Sequence, residues 1–493
     1  MLLYLVILIV CLVYYFVRQK FSYWSDRNVA HLPPKFPLGN LTGMGTKYHL
    51  IDIMRSTYEK FKNSEKIAGM YFSFGPVLVP IDLNIVETIL VKNFSSFPNR
   101  GVYLNEKDEP LSAHLFAIED EKWRFLRTKL SPTFTSGKIK FMYNTIASLG
   151  DDFLQIFLDG IDSNEPVDVK NVCQRFTSDV ITSCAFGLDP QSLRTGTSEV
   201  LENGNKILIQ PGWKSAKFFL LMMFRKWGQR LHIKSFPTEV SDFFYNLTKH
   251  TVEQREKDNI VRNDFLNLLI QIRNENSDDG NQLTIEQIAA QSLLFLIAGF
   301  ETTSSTLTFA LFNLARHTDV QDKVREEIQR TLAEHDGEIS YAALKDMKYI
   351  DQVINETLRL FSPLGTVTRV AKTDFLLADT KMFIPKGQII VIPVHAIHRD
   401  ANIYPDPEKF DPDRFDSEIV QLRHKCSFIP FGNGPRNCIA RRFGLLEVKF
   451  GIVKLLSQLK LTVNENTQLP LQFDNRSQIL QSKNLILLNV EKF

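Results

Sequence analysis

The pattern of hydrophobic and polar residues begins with a purely apolar stretch. Residues 1–17 (MLLYLVILIVCLVYYFV) contain no charged side chain, and Arg18 and Lys20 follow them. As a helix this stretch would measure roughly 25 Å, the short end of what a bilayer requires. Because positive residues flank membrane helices on the cytosolic side, residues 1–20 are predicted to be a transmembrane anchor with the rest of the chain in the cytosol. An uncleaved signal segment or a buried helix is the alternative.

A proline-rich segment follows the predicted anchor. Pro33, Pro34 and Pro37 fix the backbone and block helix formation, so residues 21–40 are predicted to be a stiff, extended spacer. No later stretch has the composition of a linker, and no repeat or low-complexity tract is visible. We therefore expect one large domain over residues 41–493.

Most of this domain has the spacing of helices. Residues 285–317 form a long, largely apolar stretch that opens with the possible capping pair Thr284 and Gln287, and residues 320–335 alternate charged and apolar positions at helical spacing. Short strand patterns occur at residues 69–81, 387–393 and 485–490. The pattern predicts a mostly α-helical domain with a small β portion. Gly299 lies inside the long helix, where it costs about 1 kcal/mol relative to alanine, so its bare backbone is expected to be needed.

Composition narrows the function classes. A net charge of +2 gives no reason to expect nucleic acid as a partner. The 38 phenylalanines suit an apolar ligand as well as a packed core. The cysteines are Cys11, Cys173, Cys184, Cys426 and Cys438, without CxxC or CxxCH spacing. This excludes a disulfide framework, a zinc site and a covalently attached haem.

The last cysteine lies in a glycine-rich loop before an apolar helix. The stretch Phe431-Gly432-Asn433-Gly434-Pro435-Arg436-Asn437-Cys438-Ile439-Ala440 forms a tight loop whose amides can point at the sulfur. A thiolate at a helix N-terminus is stabilised by free N–H groups and by the helix dipole. The loop therefore predicts an anionic sulfur ligand for a metal, although a lone cysteine is otherwise often a small buried hydrophobe.

This loop resembles the F-x-x-G-x-R-x-C-x-G/A motif of the cytochrome P450 family. Ala440 stands where the family more often has glycine, and it is still small enough for close approach to a porphyrin. The resemblance covers nearly the whole chain and implies the cytochrome P450 fold, as one catalytic domain behind the anchor. It also implies haem b (iron protoporphyrin IX) as the cofactor, with Cys438 as the iron ligand and Phe431 and Arg436 beside the haem.

Two further segments match family patterns that support the haem loop. Glu356-Thr357-Leu358-Arg359 is an E-x-x-R sequence whose i, i+3 spacing places both charges on one helix face. Pairs with this spacing are common on exposed helices, so the spacing alone is weak evidence for a buried ion pair. Residues 411–415 resemble the family's P-E-R-F segment, and this likeness implies that Arg414 completes a buried cluster with Glu356 and Arg359. All three are interpreted as structural.

Two more patterns imply catalytic and haem-binding residues. Residues 298–303 (AGFETT) match the family's oxygen-activating sequence, which accounts for Gly299 and assigns proton relay to Glu301 and a hydrogen bond at the oxygen groove to Thr302. A threonine in a helix otherwise bonds back to its own carbonyls. The W-x-x-x-R sequence places Trp123 and Arg127 on one helix face, where both can reach a haem propionate. By resemblance the further haem-binding residues are Arg436, Arg369 and Arg100.

The stretch at residues 130–138 (LSPTFTSGK) resembles the microsomal drug- and toxin-metabolising branch, most closely the insect family six enzymes. This implies hydroxylation or epoxidation of small lipophilic substrates by dioxygen at the cytosolic face of the endoplasmic reticulum. No dinucleotide-binding pattern is visible, so electrons are expected from a separate NADPH-dependent flavoprotein reductase, with cytochrome b5 as a further partner. A basic docking face is predicted, against the alternative of a solvated helix face, from Lys122, Arg124, Lys129, Lys138, Arg441 and Arg442.

Two alternative functions remain open from the sequence. One is a haem-thiolate isomerase or dehydratase that needs no external electrons, and the other is a non-enzymatic sequestering or haem-sensing protein. Members of either kind would be expected to lack the acid–alcohol pair Glu301-Thr302. By resemblance the substrate pocket is lined by apolar residues: Leu115, Phe116, Leu294, Ala298, residues 364–367, Ile479 and Leu480.

A second membrane contact is predicted over residues 214–227. Its apolar run is bracketed by cations and ends near Trp227, a pattern typical of a segment that lies in the membrane interface. Phe219, Leu221 and Phe224 are expected to enter the lipid. The alternative is an internal helix packed on the core.

Overall fold

The computed structural model describes residues 1–209, 214–262, 264–275 and 283–493. The first helices are α1 (Leu2–Phe21), α2 (Leu50–Phe61), α3 (Leu83–Glu87), α4 (Asp120–Leu130), α5 (Ser136–Ser163), α6 (Val169–Phe186), α7 (Ser192–Thr195), α8 (Glu199–Leu208), α9 (Lys214–Met223) and α10 (Arg225–Arg230). They are followed by α11 (Thr238–Lys257), α12 (Phe265–Glu275), α13 (Ile285–Arg316), α14 (Thr318–Glu334), α15 (Tyr341–Asp346), α16 (Tyr349–Leu360), α17 (Val394–Ile397), α18 (Ser417–Leu422) and α19 (Arg441–Leu456). The mostly α-helical class is confirmed.

The strands form three small sheets at the edges of the helical body. They are β1 (Ile67–Phe72), β2 (Gly75–Pro80), β3 (Val167–Asp168), β4 (Val367–Val370), β5 (Phe375–Leu377), β6 (Met382–Ile384), β7 (Ile389–Ile392), β8 (Leu459–Val463) and β9 (Leu487–Lys492). The largest sheet has the order β1-β2-β7-β4, with only the β2–β7 pair parallel. The strand pattern over residues 69–81 is confirmed as two strands, because a turn at Ser73 makes it the β1–β2 hairpin.

The N-terminal helix α1 is largely exposed and contacts the body of the protein at its C-terminal end, through Phe16 and Phe21. None of its residues is buried, and the apolar window near the N-terminus has a mean hydropathy of 2.1. Helix α13 is also long and apolar enough to cross a membrane, but 72% of its window is buried inside the protein. The exposure of the side chains therefore distinguishes the two helices. The apolar side chains of α1 are mostly exposed, whereas α13 is the core helix.

The segment after α1 packs on the largest sheet, which differs from the extended spacer that its prolines predict. Trp24 is fully buried, and its indole N–H donates to the carbonyl oxygen of Met70 at 2.8 Å. A Cβ at Gly69 would meet the Trp24 ring at 2.5 Å, so the strand needs glycine there. Further along, Gly39 bridges to Phe72. Residues that follow the anchor are therefore part of the domain's core.

Helix α13 runs through the centre of the largest hydrophobic cluster. The predicted capping box is confirmed, since Thr284 accepts from the Gln287 amide and Gln287 accepts from the Thr284 amide. The helix packs along α6, where the Thr177 hydroxyl donates to the carbonyl oxygen of Phe300 at 2.9 Å. A Cβ at Gly299 would lie 2.5 Å from Ile181 of α6. The glycine is therefore needed for this close helix packing.

The apolar run at residues 218–224 is only partly available to a membrane. Leu221 and Met222 are buried, and Phe219 packs on the cluster beneath the largest sheet. Phe224 and Trp227 are 38% and 61% exposed. The interface location predicted for Leu221 is wrong in this structure, because that side chain points inward. The side chains of residues 214–216 lie outside the described part.

We predict that Trp24→Ala destabilises the domain even though Trp24 lies next to the anchor. Removing a fully buried tryptophan leaves a cavity and costs about 3–5 kcal/mol of unfolding free energy. The measurement is the shift of the urea-unfolding midpoint, with Leu422→Ala as control because Leu422 is 88% exposed. A Trp24→Ala midpoint equal to that of the control would mean that this segment is a spacer after all.

Candidate active site

Two glycines with left-handed backbones shape the loop before α19. Gly432 and Gly434 have φ angles of 70° and 72°, a region that side chains with a Cβ rarely adopt. A Cβ on Gly434 would in addition overlap the carbonyl oxygen of Leu90. The loop closes where the Cys438 amide donates to the carbonyl oxygen of Phe431 at 2.9 Å. These constraints place the Cys438 side chain directly before the first turn of α19.

The Cys438 thiol is enclosed by protein and yet accessible. The Cys438 side chain is accessible to solvent. Even so, the surrounding protein buries the thiol enough to raise its pKa. Both observations hold if the sulfur faces a cavity inside the molecule. A hydrogen bond from the Ala440 amide and the nearby positive charges of Arg127 and Arg100 act in the opposite direction and lower the thiol pKa. The surroundings thus favour a thiolate once an electrophilic partner offsets the burial.

Helix α13 has accessible positions at its middle, where a core helix should have none. Ala298 is exposed and Thr302 is partly exposed, one turn apart on the same face, while Phe300, Glu301 and Thr303 are buried. A Cβ at Gly444 in α19 would lie 3.6 Å from the Thr303 hydroxyl. Helix α19, which follows the cysteine, and the helix with this open face are therefore direct neighbours. The open face of α13 lines an internal space.

The two residues of the acid–alcohol pair point in different directions. The Thr302 hydroxyl donates to the carbonyl oxygen of Ala298 at 2.6 Å and stays at the open face. Glu301 points toward α6, where it accepts a hydrogen bond from Gln174 at 2.9 Å. Burial raises the pKa of Glu301 to about 7, although the Gln174 bond and the charge of Lys170 lower it. This carboxyl is therefore able to gain or lose a proton near neutral pH.

Three arginines, Arg100, Arg369 and Arg436, crowd one side of the site, and none of them forms an ion pair within the described residues, although the charges of Glu119 and Asp120 act on Arg436. Arg369 and Arg436 are fully buried, and the partners of Arg100 and Arg436 are backbone carbonyls, including an Arg100 bond of 2.8 Å to the Arg436 oxygen. Within the described residues, Nε and Nη2 of Arg369 and Nε of Arg436 have no hydrogen-bond partner. Burial first, and then mutual repulsion, lowers the pKa of each to about 9. Buried charge with free donors needs an anion.

The W-x-x-x-R residues connect this cluster to the cysteine loop. Arg127 donates to the backbone oxygen and the side-chain oxygen of Asn437, both at 3.0 Å. Trp123 is buried, and the guanidinium carbon of Arg436 lies 4.6 Å from the centre of its ring. Helix α4 thus presents both side chains to the residues immediately before Cys438.

The predicted pocket residues divide into accessible and buried ones. Leu364 is 41% exposed, and Phe116 lies under the Arg100 guanidinium with 4.1 Å between the ring centre and the guanidinium carbon. Leu115 is buried, and its amide donates to Gln291 of α13 at 2.7 Å. Ile479 and Leu480 are buried as well. Phe431 is partly buried, with the Arg441 guanidinium 5.5 Å from its ring centre.

The E-x-x-R pair forms a fully buried ion pair in α16. Arg359 donates twice to Glu356, at 2.7 and 2.8 Å, and neither side chain is exposed. Arg414 lies 3.6 Å from the same carboxylate, and the Asp411 amide donates to it at 2.9 Å. The remaining guanidinium donors of Arg359 reach backbone oxygens, among them that of His398 at 2.9 Å.

The residue that connects this pair to the cysteine loop has no signal in the sequence. The His398 side chain accepts a hydrogen bond from the Ile429 amide at 3.0 Å, just upstream of Phe431. Burial lowers the pKa of His398 to about 3, and the charge of Arg359 adds to this, so its ring is neutral and able to accept. Gln174, the partner of Glu301, likewise has no signal in the sequence. Both lie far along the chain from the motifs they support.

The donors present fit a haem held through sulfur. An enclosed but accessible thiol faces inward, and buried arginines with free N–H groups supply partners for two carboxylates. The fold and the site therefore define a haem-thiolate protein. The family model of cytochrome P450 matches residues 31–490, and the chain belongs to this family. It is a haem-containing monooxygenase, as the resemblance implied.

Curated relatives are similar over the full length. Cytochrome P450 6A1 of Musca domestica is 40% identical over 497 residues, which cover 99% of this chain and 97% of the relative. Probable cytochrome P450 6a23 of Drosophila melanogaster is 41% identical over 499 residues, covering 100% of this chain and 99% of the relative. The likeness to insect family six enzymes is confirmed.

We predict that Arg369→Gln weakens haem retention without unfolding the protein. A hydrogen bond to a charged group contributes about 1.5–3 kcal/mol, so haem should dissociate roughly 10- to 100-fold faster. The measurement is the rate of haem transfer to an excess of apomyoglobin. Arg194→Gln is the control, because Arg194 is 61% exposed and paired only with Asp152. Equal rates for the two variants would contradict an anion-binding role for the buried arginines.

Proposed function

We propose that this enzyme inserts one oxygen atom of dioxygen into small lipophilic substrates, by hydroxylation or epoxidation, and that these include plant toxins and insecticides. The observation that carries the proposal is the Cys438 thiol, enclosed by protein but accessible, beside a core helix whose Ala298 face is open. The insect relatives support the toxin-metabolising branch.

The cofactor assigned to this space is haem b, which Cys438 would hold through its sulfur. The thiolate-ligated haem supplies the reduction of dioxygen and the cleavage of its O–O bond. Arg369 and Arg436 would hold the propionates through the nitrogen atoms that have no partner among the described residues, and Arg100, Trp123 and Arg127 would complete this side. The Ala440 amide and Arg127 lower the pKa of the Cys438 thiol against the effect of burial, and so favour the thiolate. The Glu356–Arg359–Arg414 cluster positions the loop and touches no substrate.

Proton delivery is assigned to the acid–alcohol pair on α13. Glu301, with a pKa of about 7, holds a proton in part of the molecules at neutral pH and is restrained by Gln174. The Thr302 hydroxyl donates its proton to the Ala298 carbonyl oxygen. The lone pairs of the hydroxyl oxygen remain at the open face, where they can accept a hydrogen bond. Thr302 thus orients a proton donor in the cavity, and Glu301 exchanges protons with the space behind the helix.

Electrons are assigned to a separate NADPH-dependent flavoprotein reductase, with cytochrome b5 as a second donor. Arg441 and Arg442 are exposed at the start of α19, immediately after the ligand loop, and Arg124 is 66% exposed on α4. Lys122, 69% exposed, forms an ion pair with Glu106. Arg441 and Arg442 follow Cys438 closely in the chain, and this position of exposed cations suits docking of an acidic partner.

The location proposed is the endoplasmic reticulum membrane, with the catalytic domain on the cytosolic face. The exposed apolar helix α1 and the insect relatives indicate a membrane-anchored enzyme. Arg18 and Lys20 at the end of α1 support the cytosolic orientation. The apolar pocket positions Leu364 and Phe116 fit substrates that partition into lipid.

We predict that Cys438→Ser abolishes product formation. An alcohol cannot replace the anionic sulfur donor, so the reduced, carbon-monoxide-bound protein should lose the Soret position typical of the family. The assay combines the enzyme, the reductase, NADPH and a panel of lipophiles, and measures oxygenated product per NADPH consumed. Cys426→Ser is the matched control from the preceding segment, and it should keep both the band and the activity.

Two outcomes would contradict this assignment. A Cys438→Ser protein that retains the band would remove Cys438 as the ligand. Product formed by the unaltered enzyme without NADPH would indicate a rearrangement of peroxides in place of oxygenation.

We predict that Thr302→Ala keeps the haem but diverts electrons to hydrogen peroxide. Without the hydroxyl, proton delivery in the cavity is unguided, and product per NADPH should fall by roughly 10-fold or more. The measurement is peroxide formed per NADPH consumed. Thr306→Ala is the matched control, because Thr306 makes the same kind of bond to the Thr302 carbonyl at 2.8 Å but is buried. Equal peroxide ratios would exclude the Thr302 hydroxyl from this role.

A further inference from the structure

A small polar pocket lies beside the central helix α13. Its volume is about 10 Å³, which is close to what one water molecule requires. It is lined by Lys170, Glu301, Ser304, Ser305, Thr308, Phe309, Gln481 and Ser482. Of these residues only Phe309 has an apolar side chain. A pocket of this size and polarity suits a single water molecule and is too small for an organic ligand.

This pocket and the open face of α13 lie on different sides of the helix. The residues that α13 contributes to the pocket are at positions 301, 304, 305 and 308, a spacing that places them in one stripe along the helix. Ala298 and Thr302 form the open face, and neither of them lines the pocket. Glu301 thus connects the two sides, because it lines the pocket and the next residue carries the hydroxyl at the open face.

One polar atom in the pocket wall lacks a hydrogen-bond partner among the described residues. Gln481 is 3% exposed, and its Nε2 donates to the Ser477 hydroxyl at 2.8 Å. The atom without a partner is the buried Oε1 of the same side chain. Buried polar groups are as a rule hydrogen-bonded, either to protein or to an ordered water. The Gln481 oxygen therefore indicates a water in this pocket.

Lys170 lies between the pocket and the solvent. The residue is partly exposed, and its ammonium group donates to the Ser482 carbonyl oxygen at 2.8 Å. An ammonium group has three N–H donors, so this bond leaves two for other partners. Burial lowers the pKa of Lys170 and the charge of Glu301 raises it, yet the two groups form no direct ion pair. A water between them is able to bond to both.

Lys170 also feels charges from neighbouring segments. Those of Asp168 and Asp474 raise its pKa, and that of Arg476 lowers it. Burial raises the pKa of Glu301, and the charge of Lys170 is among the effects that lower it. Among the described residues, Lys170 is the charged group that acts on this carboxyl. Its substitution therefore changes the charge that Glu301 meets.

We propose that the pocket holds one ordered water that bridges Lys170, Gln481 and Glu301, and that protons reach Glu301 from solvent through Lys170 and this water. The water accepts a hydrogen bond from the ammonium group and donates to Gln481 Oε1 and to the Glu301 carboxyl. After Glu301 has released a proton, the water passes one to the carboxylate and takes one from the ammonium group. The amine that remains takes a proton from solvent, so one proton enters for each one released.

Lys170 is a positioning residue in this arrangement, because it acts through the water and Glu301. It touches neither substrate nor cofactor. Its role in turnover rests on the proposed monooxygenase function, whereas the water site and the coupling of Lys170 to Glu301 do not. The two parts are therefore tested by different measurements.

The first test titrates the Glu301 carboxyl in the full chain with haem bound, by infrared spectroscopy without turnover. The C=O stretching band of the protonated carboxyl is identified by its absence from Glu301→Gln, and its midpoint should lie at about pH 7. Lys170→Met removes the positive charge and should raise the midpoint by roughly one unit or more, whereas Lys170→Arg should retain it. Lys454→Met is the control, because Lys454 is 16% exposed and pairs with Asp151.

The second test locates the water. A crystal structure of the haem-loaded protein should show one water within hydrogen-bond distance of Lys170 Nζ, Gln481 Oε1 and the Glu301 carboxyl. Gln481→Leu removes the acceptor at similar volume and should displace this water. Gln478→Leu is the matched control, because Gln478 is an exposed glutamine of the same turn.

The third test measures turnover with the reductase, NADPH and a lipophile that the unaltered enzyme oxygenates. Lys170→Met and Gln481→Leu should lower product per NADPH roughly 10-fold and increase the solvent isotope effect on product formation. Lys170→Arg should restore both values, and Gln478→Leu should leave both unchanged. The carbon-monoxide spectrum of each variant verifies that the protein is folded.

Three outcomes would overturn the proposal. These are an unchanged infrared midpoint in Lys170→Met, a pocket without an ordered water, and equal product per NADPH in Gln481→Leu and Gln478→Leu. Failure of the unaltered enzyme to oxygenate any lipophile would instead contradict the proposed function. In that case the infrared and crystallographic results still decide whether the water couples Lys170 to Glu301.

Discussion

The buried ion pair between Glu356 and Arg359 holds the architecture of the catalytic side together. Neither group is exposed, and every oxygen and nitrogen has a partner: the two groups bond to each other, to the Asp411 amide and to backbone oxygens that include that of His398. Such a pair gives little net stability, but removing one member leaves an uncompensated buried charge that costs about 3–5 kcal/mol. The pair therefore fixes where these segments lie, and through His398 it fixes Ile429 and the start of the cysteine loop.

The cluster of arginines beside the cysteine loop has the opposite electrostatic character. At Arg100, Arg369 and Arg436, positive charges are buried together, and several of their nitrogen atoms have no protein partner. Burial lowers the pKa of Arg369 and of Arg436, because the charged form is poorly solvated inside the protein. A ligand with two carboxylates relieves this repulsion, so binding of the cofactor and stability of the fold are linked. The hydrogen bonds of the Glu356–Arg359 ion pair are complete without a cofactor, whereas those of the arginine cluster are not.

The sequence predicts those parts of the site that depend on residues close together in the chain. It does not predict contacts between residues that are far apart in the chain. The glycine loop around Cys438 and the Thr284 capping box depend on neighbouring residues and could be identified. The packing of Trp24 depends on a strand that begins more than forty residues later, and the prolines after it point to the wrong environment. His398 and Gln174 have no motif, since their roles come entirely from the residues that the fold places beside them.

The central helix shows how one period of 3.6 residues separates two environments. Consecutive residues differ by about 100° around a helix, so Thr302 reaches the open face while Glu301 is directed at α6. Burial there raises the pKa of Glu301 to about 7. Because this pKa lies above that of the unfolded chain, the neutral carboxyl stabilises the fold at low pH, and this contribution is lost as the pH rises through 7. The spacing of Glu301 and Thr302 thus places the hydroxyl at the open face of the helix and buries the carboxyl against α6, away from that face.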